Sequence, residues 1–272
     1  MKIVIFTNKN HLYANKIIKW MICSGEWKIV AIVESDALYP GRSNYCSLLK
    51  YLKTSGLDYV LNQIIKVLIF HLGCILYKFS PIKKIDNLFY EYKNLARIYN
   101  IPVYKEKNVN EDRIFTLLSD KKIDLFVSAL CNQILKNKIL SIPKFGTINI
   151  HPALLPEYKG ISPVFWALAN GEKTAGVTIH TIDDEKIDEG KILFQKKIFI
   201  TPSDTEHSLY LKCIKEGIIL LHKAIEKIKK NDNIRFRNNQ GKGSYFSLPT
   251  KDSVRNFRKQ NRKFFKLEEF LK

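Results

Sequence analysis

The chain has 272 residues, 46% of them hydrophobic, which is enough for one large domain or for one domain with an extension. Its formal net charge of +19 favours anionic partners such as phosphates, nucleic acid or an anionic membrane surface, although a solvated, lysine-rich surface accounts for the same charge. The five cysteines are scattered without a CxxC pair, which argues against a disulfide or zinc framework and favours a reducing compartment.

The beginning of the chain alternates strand and helix patterns. Residues 2–7 form a short β-branched run that predicts a buried strand, residues 11–24 a helix, and residues 27–33 a second strand. A strand, a helix and a strand at this spacing predict a parallel βαβ unit. A strand pattern that starts at the second residue does not have the layout of a signal peptide, so we expect a cytoplasmic location.

Residues 44–99 interrupt this alternation with helical patterns. Within them residues 60–77 are unusually apolar, but Asn62, Gln63 and Lys66 interrupt the run. Because a membrane-spanning helix needs roughly 20 apolar residues, we predict a buried helix or a helical hairpin here. A helix on a membrane surface is the alternative.

The alternation resumes in the second half of the chain, which predicts an α/β fold with a Rossmann-like, mostly parallel sheet flanked by helices. Apolar, β-rich runs predict strands at residues 101–104, 123–130, 146–150, 177–182, 192–200 and 241–246. Helical patterns occupy residues 109–121, 162–170, 203–230 and 251–272. Ser203 is the predicted N-cap of the long third helix, with Glu206 three residues on.

The last 42 residues differ in composition from the rest of the chain. They hold 11 basic and 4 acidic residues, a net charge of +7, and five of the eight arginines. We therefore divide the chain into a main domain, 1–230, which contains the helical insertion at 44–99, and a small basic extension, 231–272.

The strand at residues 146–150 carries the most informative pair of side chains. Side chains alternate along a strand, so Asn149 and His151 point to one face while Ile148 and Ile150 point into the core. The strand ends just after His151, at the edge where open α/β sheets bind ligands. Asp188, in a polar loop between two strands, is the expected third member.

An amide, an imidazole and a carboxylate in one pocket suit the transfer of an acyl group to an amine. The protonated His151 and the Asn149 amide can donate to the oxygen that gains negative charge. Asp188 can keep the imidazole charged and oriented, or accept a proton from the amine. No metal is predicted, because the acidic residues near His180 lack the ligand spacing of a metal site. Cys131 is interpreted as a packing thiol.

Residues 146–160, Gly-Thr-Ile-Asn-Ile-His-Pro-Ala-Leu-Leu-Pro-Glu-Tyr-Lys-Gly, resemble the signature of the folate-dependent formyltransferases. The likeness continues through residues 175–180, 187–190 and 192–195. This family includes methionyl-tRNA formyltransferase, glycinamide ribonucleotide transformylase and the sugar N-formyltransferases. The resemblance implies the formyltransferase fold, and it places the family's catalytic Asn, His and Asp at Asn149, His151 and Asp188.

The resemblance also implies 10-formyltetrahydrofolate as the formyl donor. Two loops match the family's pterin-binding loops, in which most contacts come from the backbone. The implied donor-binding residues are Leu130, Cys131, Asn132, Gln133 and Ile134 in the first loop, and Asp184, Glu185, Lys186 and Ile187 in the second.

The chain departs from two branches of the family, and this bears on the amine acceptor. The short segment after residue 230 is too small for the C-terminal barrel of the tRNA enzyme. Asn8, Lys9 and Asn10 stand where the purine enzyme has a phosphate-binding glycine cluster. We therefore expect a small amine as substrate, namely an amino sugar, either free or linked to a nucleotide.

Three alternatives stay open at this point. Formylation of an aminoacylated tRNA is indicated by the arginine-rich extension and by Lys159 and Gly160, the expected substrate-binding residues. A non-catalytic folate-binding or membrane-surface protein is indicated by the apolar run and the basic extension. A homodimer is plausible for an enzyme of this size.

Overall fold

The computed structural model describes residues 1–9, 11–35, 44–81, 87–230, 235–239, 241 and 243–270, apart from the side chain of Asn44. Part of the predicted insertion, residues 82–86, and parts of the basic extension lie outside the described residues, as does Asn10. Within the described residues nine strands form two sheets. The strands are β1 (Lys2–Asn8), β2 (Lys28–Ser35), β3 (Val103–Glu106), β4 (Leu125–Ala129), β5 (Thr147–His151), β6 (Lys159–Gly160), β7 (Thr174–Thr181), β8 (Ile192–Phe199) and β9 (Tyr245–Phe246).

The main sheet has seven strands in the order β3-β2-β1-β4-β5-β7-β8. The first five are parallel to one another, while β7 and β8 run antiparallel. This is the mostly parallel α/β sheet that the sequence predicts. The chain winds outwards in both directions from β1 and β4, so the topological switch point lies between these two strands.

Helices cover both faces of this sheet. They are α1 (Leu12–Cys23), α2 (Asn44–Lys78), α3 (Tyr92–Ile98), α4 (Asp112–Ser119), α5 (Asn137–Leu140), α6 (Pro163–Ala169), α7 (Glu206–Lys229) and α8 (Lys251–Lys259), with a 3₁₀ turn at Leu267–Phe270. Alternate residues of β1 divide between the two cores. Ile3 and Ile5 lie in the larger core with α1 and α7, whereas Val4 and Phe6 lie in the smaller core with α4. Burial on both faces explains why the parallel strands are continuous apolar runs.

The start of α7 corrects one prediction. The N-cap is Thr205, not Ser203: its backbone is extended, its hydroxyl accepts the Ser208 N–H, and the Ser208 hydroxyl accepts the Thr205 N–H. Glu206 is the first helical residue and does not close the capping box. The predicted long basic helix at 251–272 is also wrong in extent, because α8 ends at Lys259.

The described part of the basic extension is built into the domain. Strand β9 pairs with β6, and Arg237 pairs with Ile192 at the start of β8. Phe257 of α8 lies in the larger core, where its ring stacks on Phe165 at 5.1 Å between centroids. This segment therefore shapes whatever site lies near β6.

Candidate active site

Strand β5 brings the first two side chains to the C-terminal edge of the parallel strands. Ile148 and Ile150 are each 1% exposed and lie in the core, as the alternation predicts. Asn149 and His151 point to the other face, and His151 is buried. Because β7 runs antiparallel to β5, this edge also receives side chains from β7.

Asp188 completes the cluster from the loop between β7 and β8. Its Oδ2 lies 3.6 Å from His151 Nδ1, and its Oδ1 lies 3.4 Å from Asn149 Nδ2. The backbone of Asp188 is left-handed, with φ of 52°, a conformation that persists in a non-glycine residue only when its surroundings fix it. A hydrogen bond from the C-terminal segment holds this backbone conformation: Asn239 Nδ2 donates to the Asp188 carbonyl oxygen at 2.5 Å.

His180 is a member of this cluster that sequence reasoning missed. Its Nδ1 donates to the carbonyl of Thr181 at 2.8 Å, so its Nε2 carries the lone pair that accepts from Asn149 Nδ2 at 3.0 Å. The same Nε2 lies 3.4 Å from Asp188 Oδ1. Residues 175–180, which end at His180, belong to the stretch that resembles the family. Only the pairing of Asn149 with His180 across β5 and β7 shows that this histidine lies beside Asn149.

The hydrogen bonds assign the protonation of His151. Its Nε2 lies 2.9 Å from the carbonyl oxygen of Tyr158, which can only accept, so Nε2 carries the proton. Burial lowers the pKa of His151, the neighbouring His180 lowers it further, and Asp188 and the Tyr158 carbonyl partly offset this. The imidazole is therefore predominantly neutral at pH 7.

Asp188 is held as a carboxylate. Burial alone would raise its pKa, but His151, His180 and the Gly160 N–H together hold it well below the usual range. The Gly160 N–H donates to Oδ2 at 2.8 Å. An anion this strongly stabilised is a weak base.

The expected substrate-binding residues, Lys159 and Gly160, form β6 beside this cluster. Lys159 is buried, and its Nζ lies 3.0 Å from Glu189 Oε1. Gly160 has φ of 93°, and a Cβ there would lie 2.2 Å from the carbonyl oxygen of Phe246. Because its N–H is bound to Asp188, Gly160 supports the carboxylate and does not offer that N–H to a substrate.

A cleft of about 450 Å³ adjoins Asp188. Its walls come from β6, the Asp188 loop and the C-terminal segment, namely Lys159, Lys186, Ile187, Glu189, Gly241, Gly243 and Tyr245. The sequence predicted ligand contacts for β6 and for the loop at 184–187, but it did not predict the third wall. It comes from the extension, whose β9 is held against β6.

The first predicted donor-binding loop, residues 130–134, lies away from this cleft at the ends of β1 and β4. Asn8 accepts the Asn132 N–H at 3.0 Å and donates to the Leu130 carbonyl at 3.0 Å. The Gln133 side chain accepts the Val109 N–H at 2.9 Å. These contacts fix the loop, and its last residue, Ile134, is exposed.

The Cys131 thiol in this loop packs against the smaller core. Burial raises its pKa to about 11, so little thiolate exists at neutral pH. This agrees with its interpretation as a packing thiol.

The second predicted donor-binding loop, residues 184–187, is bonded to α5, the helix that follows the first loop. Asp184 accepts the Lys186 N–H at 2.8 Å, and Glu185 accepts the Asn137 N–H of α5 at 3.4 Å. Lys186 and Ile187 also line the cleft. Among the described residues, no group of three or more His, Cys, Asp or Glu side chains is arranged to hold a metal ion.

Comparison with protein families identifies the family of the chain that carries this cluster. The sequence model of the formyl transferase family matches residues 76–225. The chain belongs to the formyl transferase family. All three side chains of the cluster predicted from the sequence lie inside the matched region, whereas Asn239, which binds the Asp188 carbonyl oxygen, lies outside it.

Curated relatives match about half of this formyl transferase. The bifunctional polymyxin resistance protein ArnA of Wigglesworthia glossinidia brevipalpis is 43% identical over 143 residues, which are 53% of this chain and 22% of the relative. The methionyl-tRNA formyltransferase of Kosmotoga olearia is 37% identical over 140 residues, 52% of this chain and 45% of the relative. The chain thus spans less than half the length of either relative.

A solved structure extends the likeness of the fold over the whole formyl transferase chain. WlaRD, a sugar 3N-formyl transferase crystallised with dTDP and 5-N-formyl-THF, superposes with a TM-score of 0.59 at 21% identity. The match covers 99% of this chain and 81% of WlaRD. It confirms the predicted fold.

Proposed function

We propose that this protein transfers a formyl group from 10-formyltetrahydrofolate to the amine of an amino sugar carried on a nucleotide. The observation that carries the proposal is the convergence of Asn149, His151 and Asp188 beside an open cleft. The identity of the relatives supports formyl transfer, and the WlaRD match supports a sugar nucleotide because it includes the C-terminal segment that walls the cleft.

Two features of the site bear on the proposed substrates. The charged side chains that line the cleft are Lys159, Lys186 and Glu189, and the Asp188 carboxylate lies next to it, a mixture that suits the phosphates of a nucleotide as well as an amine. The loop at 184–187 is bonded through Glu185 to Asn137, at the start of the helix that follows the loop at 130–134, and these two loops would hold the folate. The folate would supply a formyl group already activated for transfer, and no protein nucleophile is then required.

The proposed roles of the three side chains follow from their hydrogen bonds. In the proposed step the His151 Nε2–H, which the Tyr158 carbonyl accepts in this structure, donates to the formyl oxygen as negative charge develops there. Nδ1 takes the proton that the attacking amine loses, and Asp188 stabilises the resulting imidazolium. The Asn149 amide N–H groups are directed to His180 and to Asp188, so Asn149 helps to orient the Asp188 carboxylate. The Asn149 amide oxygen points away from that carboxylate. The strongly lowered pKa of Asp188 favours this electrostatic role over that of a general base.

The test combines the purified protein, 10-formyltetrahydrofolate and a panel of dTDP- and UDP-linked amino sugars. We expect release of tetrahydrofolate and a product heavier by one formyl group in mass spectrometry. His151→Ala should abolish both signals, whereas His222→Ala, on the exposed part of α7, should leave them unchanged. Turnover that survives His151→Ala would refute the assigned catalytic role.

Formylation of an aminoacylated tRNA is the second candidate, supported by the methionyl-tRNA formyltransferase relatives and by the net charge of +19. Phosphate contacts would make tRNA binding weaken steeply as salt rises. A filter-binding titration at several salt concentrations tests this. Formylated methionyl-tRNA together with no reaction on any amino sugar would replace the first proposal with this one.

A further inference from the structure

Helix α2 presents an apolar face to solvent along most of its second half. We define the apolar stripe as Leu57, Leu61, Ile64, Ile65, Leu68, Leu72, Ile75, Leu76 and Phe79. Their exposed fractions run from 40% at Ile64 to 83% at Phe79. At 3.6 residues per turn the helical positions from Leu57 to Leu76 fall within an arc of about 120° and extend about 29 Å along the axis, and Phe79 follows the end of α2. Contiguous apolar patches of this size mark sites of association.

The opposite face of α2 is already occupied. Tyr59, Val60, Phe70 and Cys74 are buried against the domain, and the Lys66 ammonium lies 2.6 Å from the buried Glu206 carboxylate. Lys66 is also the single charged residue between Leu61 and Tyr77, and it faces inward. The helix therefore has an inner face fixed to the protein and, from Leu61 to Tyr77, an outer face with no formal charge.

This geometry decides between lying on a membrane and crossing one. By length and composition α2 could span a bilayer. Its inner face is fixed to a folded domain through a buried ion pair, and a kink at Gly56, with φ of 81°, separates its two halves. The second half can instead lie flat, with the stripe in the boundary between head groups and acyl chains.

The charge next to the stripe favours an anionic bilayer over a second copy of the chain. Helix α8 packs beside α2, with the Lys251 side chain against Gly56 and Arg258 paired to Asp58 at 2.7 Å. The exposed residues of α8 include four basic side chains and one acidic, and the whole chain carries +19. Two such copies repel each other, whereas an anionic lipid surface attracts this charge.

The amino-acid composition of the stripe also favours a bilayer surface over a second copy of the chain. The stripe consists of leucine and isoleucine with one phenylalanine at its end. Interfaces between proteins are enriched in Tyr, Trp and Arg and carry hydrogen bonds, while burial in a bilayer surface requires only apolar area. We infer that the second half of α2 docks this protein on the surface of an anionic phospholipid bilayer.

Vesicle co-sedimentation tests the inference with the full chain. Vesicles of phosphatidylcholine are compared with vesicles that also contain phosphatidylglycerol. We expect binding to the anionic vesicles, and a loss of roughly tenfold or more in the bound fraction when Leu68→Glu and Leu72→Glu place two charges in the stripe. The matched control is Ile219→Glu with Leu267→Glu, two exposed apolar residues outside the stripe, and it should bind nearly as well as the wild type.

Three results would overturn the inference. The wild type does not sediment with anionic vesicles, or the control pair loses binding as much as the stripe pair, or sedimentation velocity without lipid shows a dimer that the stripe pair dissociates. The last result would assign the stripe to a second copy. Circular dichroism checks that each variant is folded, and Leu68→Ser with Leu72→Ser replaces the glutamate pair if that pair is not.

Discussion

The backbone N–H of Gly160 donates a hydrogen bond of 2.8 Å to Oδ2 of Asp188. This bond joins the loop that carries the carboxylate to β6, and β6 is held in turn by β9 of the C-terminal segment. The carboxylate is thus positioned by residues inside the family's matched region and by residues that follow it.

Gly160→Ala should disrupt this arrangement. The new Cβ would lie 2.2 Å from the Phe246 carbonyl oxygen at a φ that disfavours alanine, so β6 must shift away from Asp188. We expect kcat to fall on the order of 100-fold and the free energy of unfolding to fall by at least about 1 kcal/mol. Gly25→Ala is the control, since Gly25 also has a positive φ but has open space around it. Equal kinetic effects of the two substitutions would contradict the positioning role.

Asn239→Ala should lower kcat more than it lowers stability. It removes the donor to the Asp188 carbonyl oxygen, which holds the left-handed backbone of the carboxylate. We expect kcat to fall on the order of tenfold, with KM little changed. The exposed Asn256→Ala on α8 serves as the matched control. A higher KM with an unchanged kcat would instead place Asn239 in ground-state binding.

Lys66→Met should destabilise the protein strongly. The substitution leaves the buried Glu206 carboxylate without its cation, which typically costs about 3–5 kcal/mol. Chemical denaturation measures the loss, and the exposed Lys53→Met on the same helix should stay within about 0.5 kcal/mol of the wild type. Adding Glu206→Gln to Lys66→Met should restore part of the stability. A double variant as unstable as the sum of the single ones would show that the pair does not interact.

Stability should decrease as the pH falls below about 6.5 because of His207. Its side chain is fully buried, and burial, with a smaller effect of Lys66, lowers its pKa from 6.5 to about 3. The unfolded chain therefore binds this proton first. The loss per histidine is about 1.4 kcal/mol for each pH unit between these two values. The lowered pKa of Asp188 adds to the loss only below its ordinary value of 3.8.

Denaturation curves at several pH values measure this slope, and His207→Asn is the informative variant. Asparagine keeps an acceptor for the Tyr13 hydroxyl, which lies 2.9 Å from His207 Nδ1, but it does not titrate. Its stability should depend less on pH between 6.5 and 4. Parallel curves for the two proteins would show that another group is responsible.

The sequence by itself determined the parts of this protein that depend on local periodicity. The apolar runs predicted the strands of the main sheet, and the alternation in β5 placed Ile148 and Ile150 in the core and Asn149 and His151 on the other face. These features are visible in sequence because side-chain direction in a strand depends on residue spacing alone. The N-cap of α7 was placed two residues early, because Ser203 and Thr205 are both suitable caps and only the backbone conformation distinguishes them.

Only the tertiary structure decided what surrounds these side chains. His180 joins the cluster through the antiparallel register of β5 and β7, and Asn239 joins it across 51 residues of sequence. The apolar run at 60–77 divides into a buried face and an exposed one only when α2 is placed against the domain. Register, closure by the C-terminal segment and the exposure of a helix face all arise from contacts distant in sequence, which local periodicity does not encode.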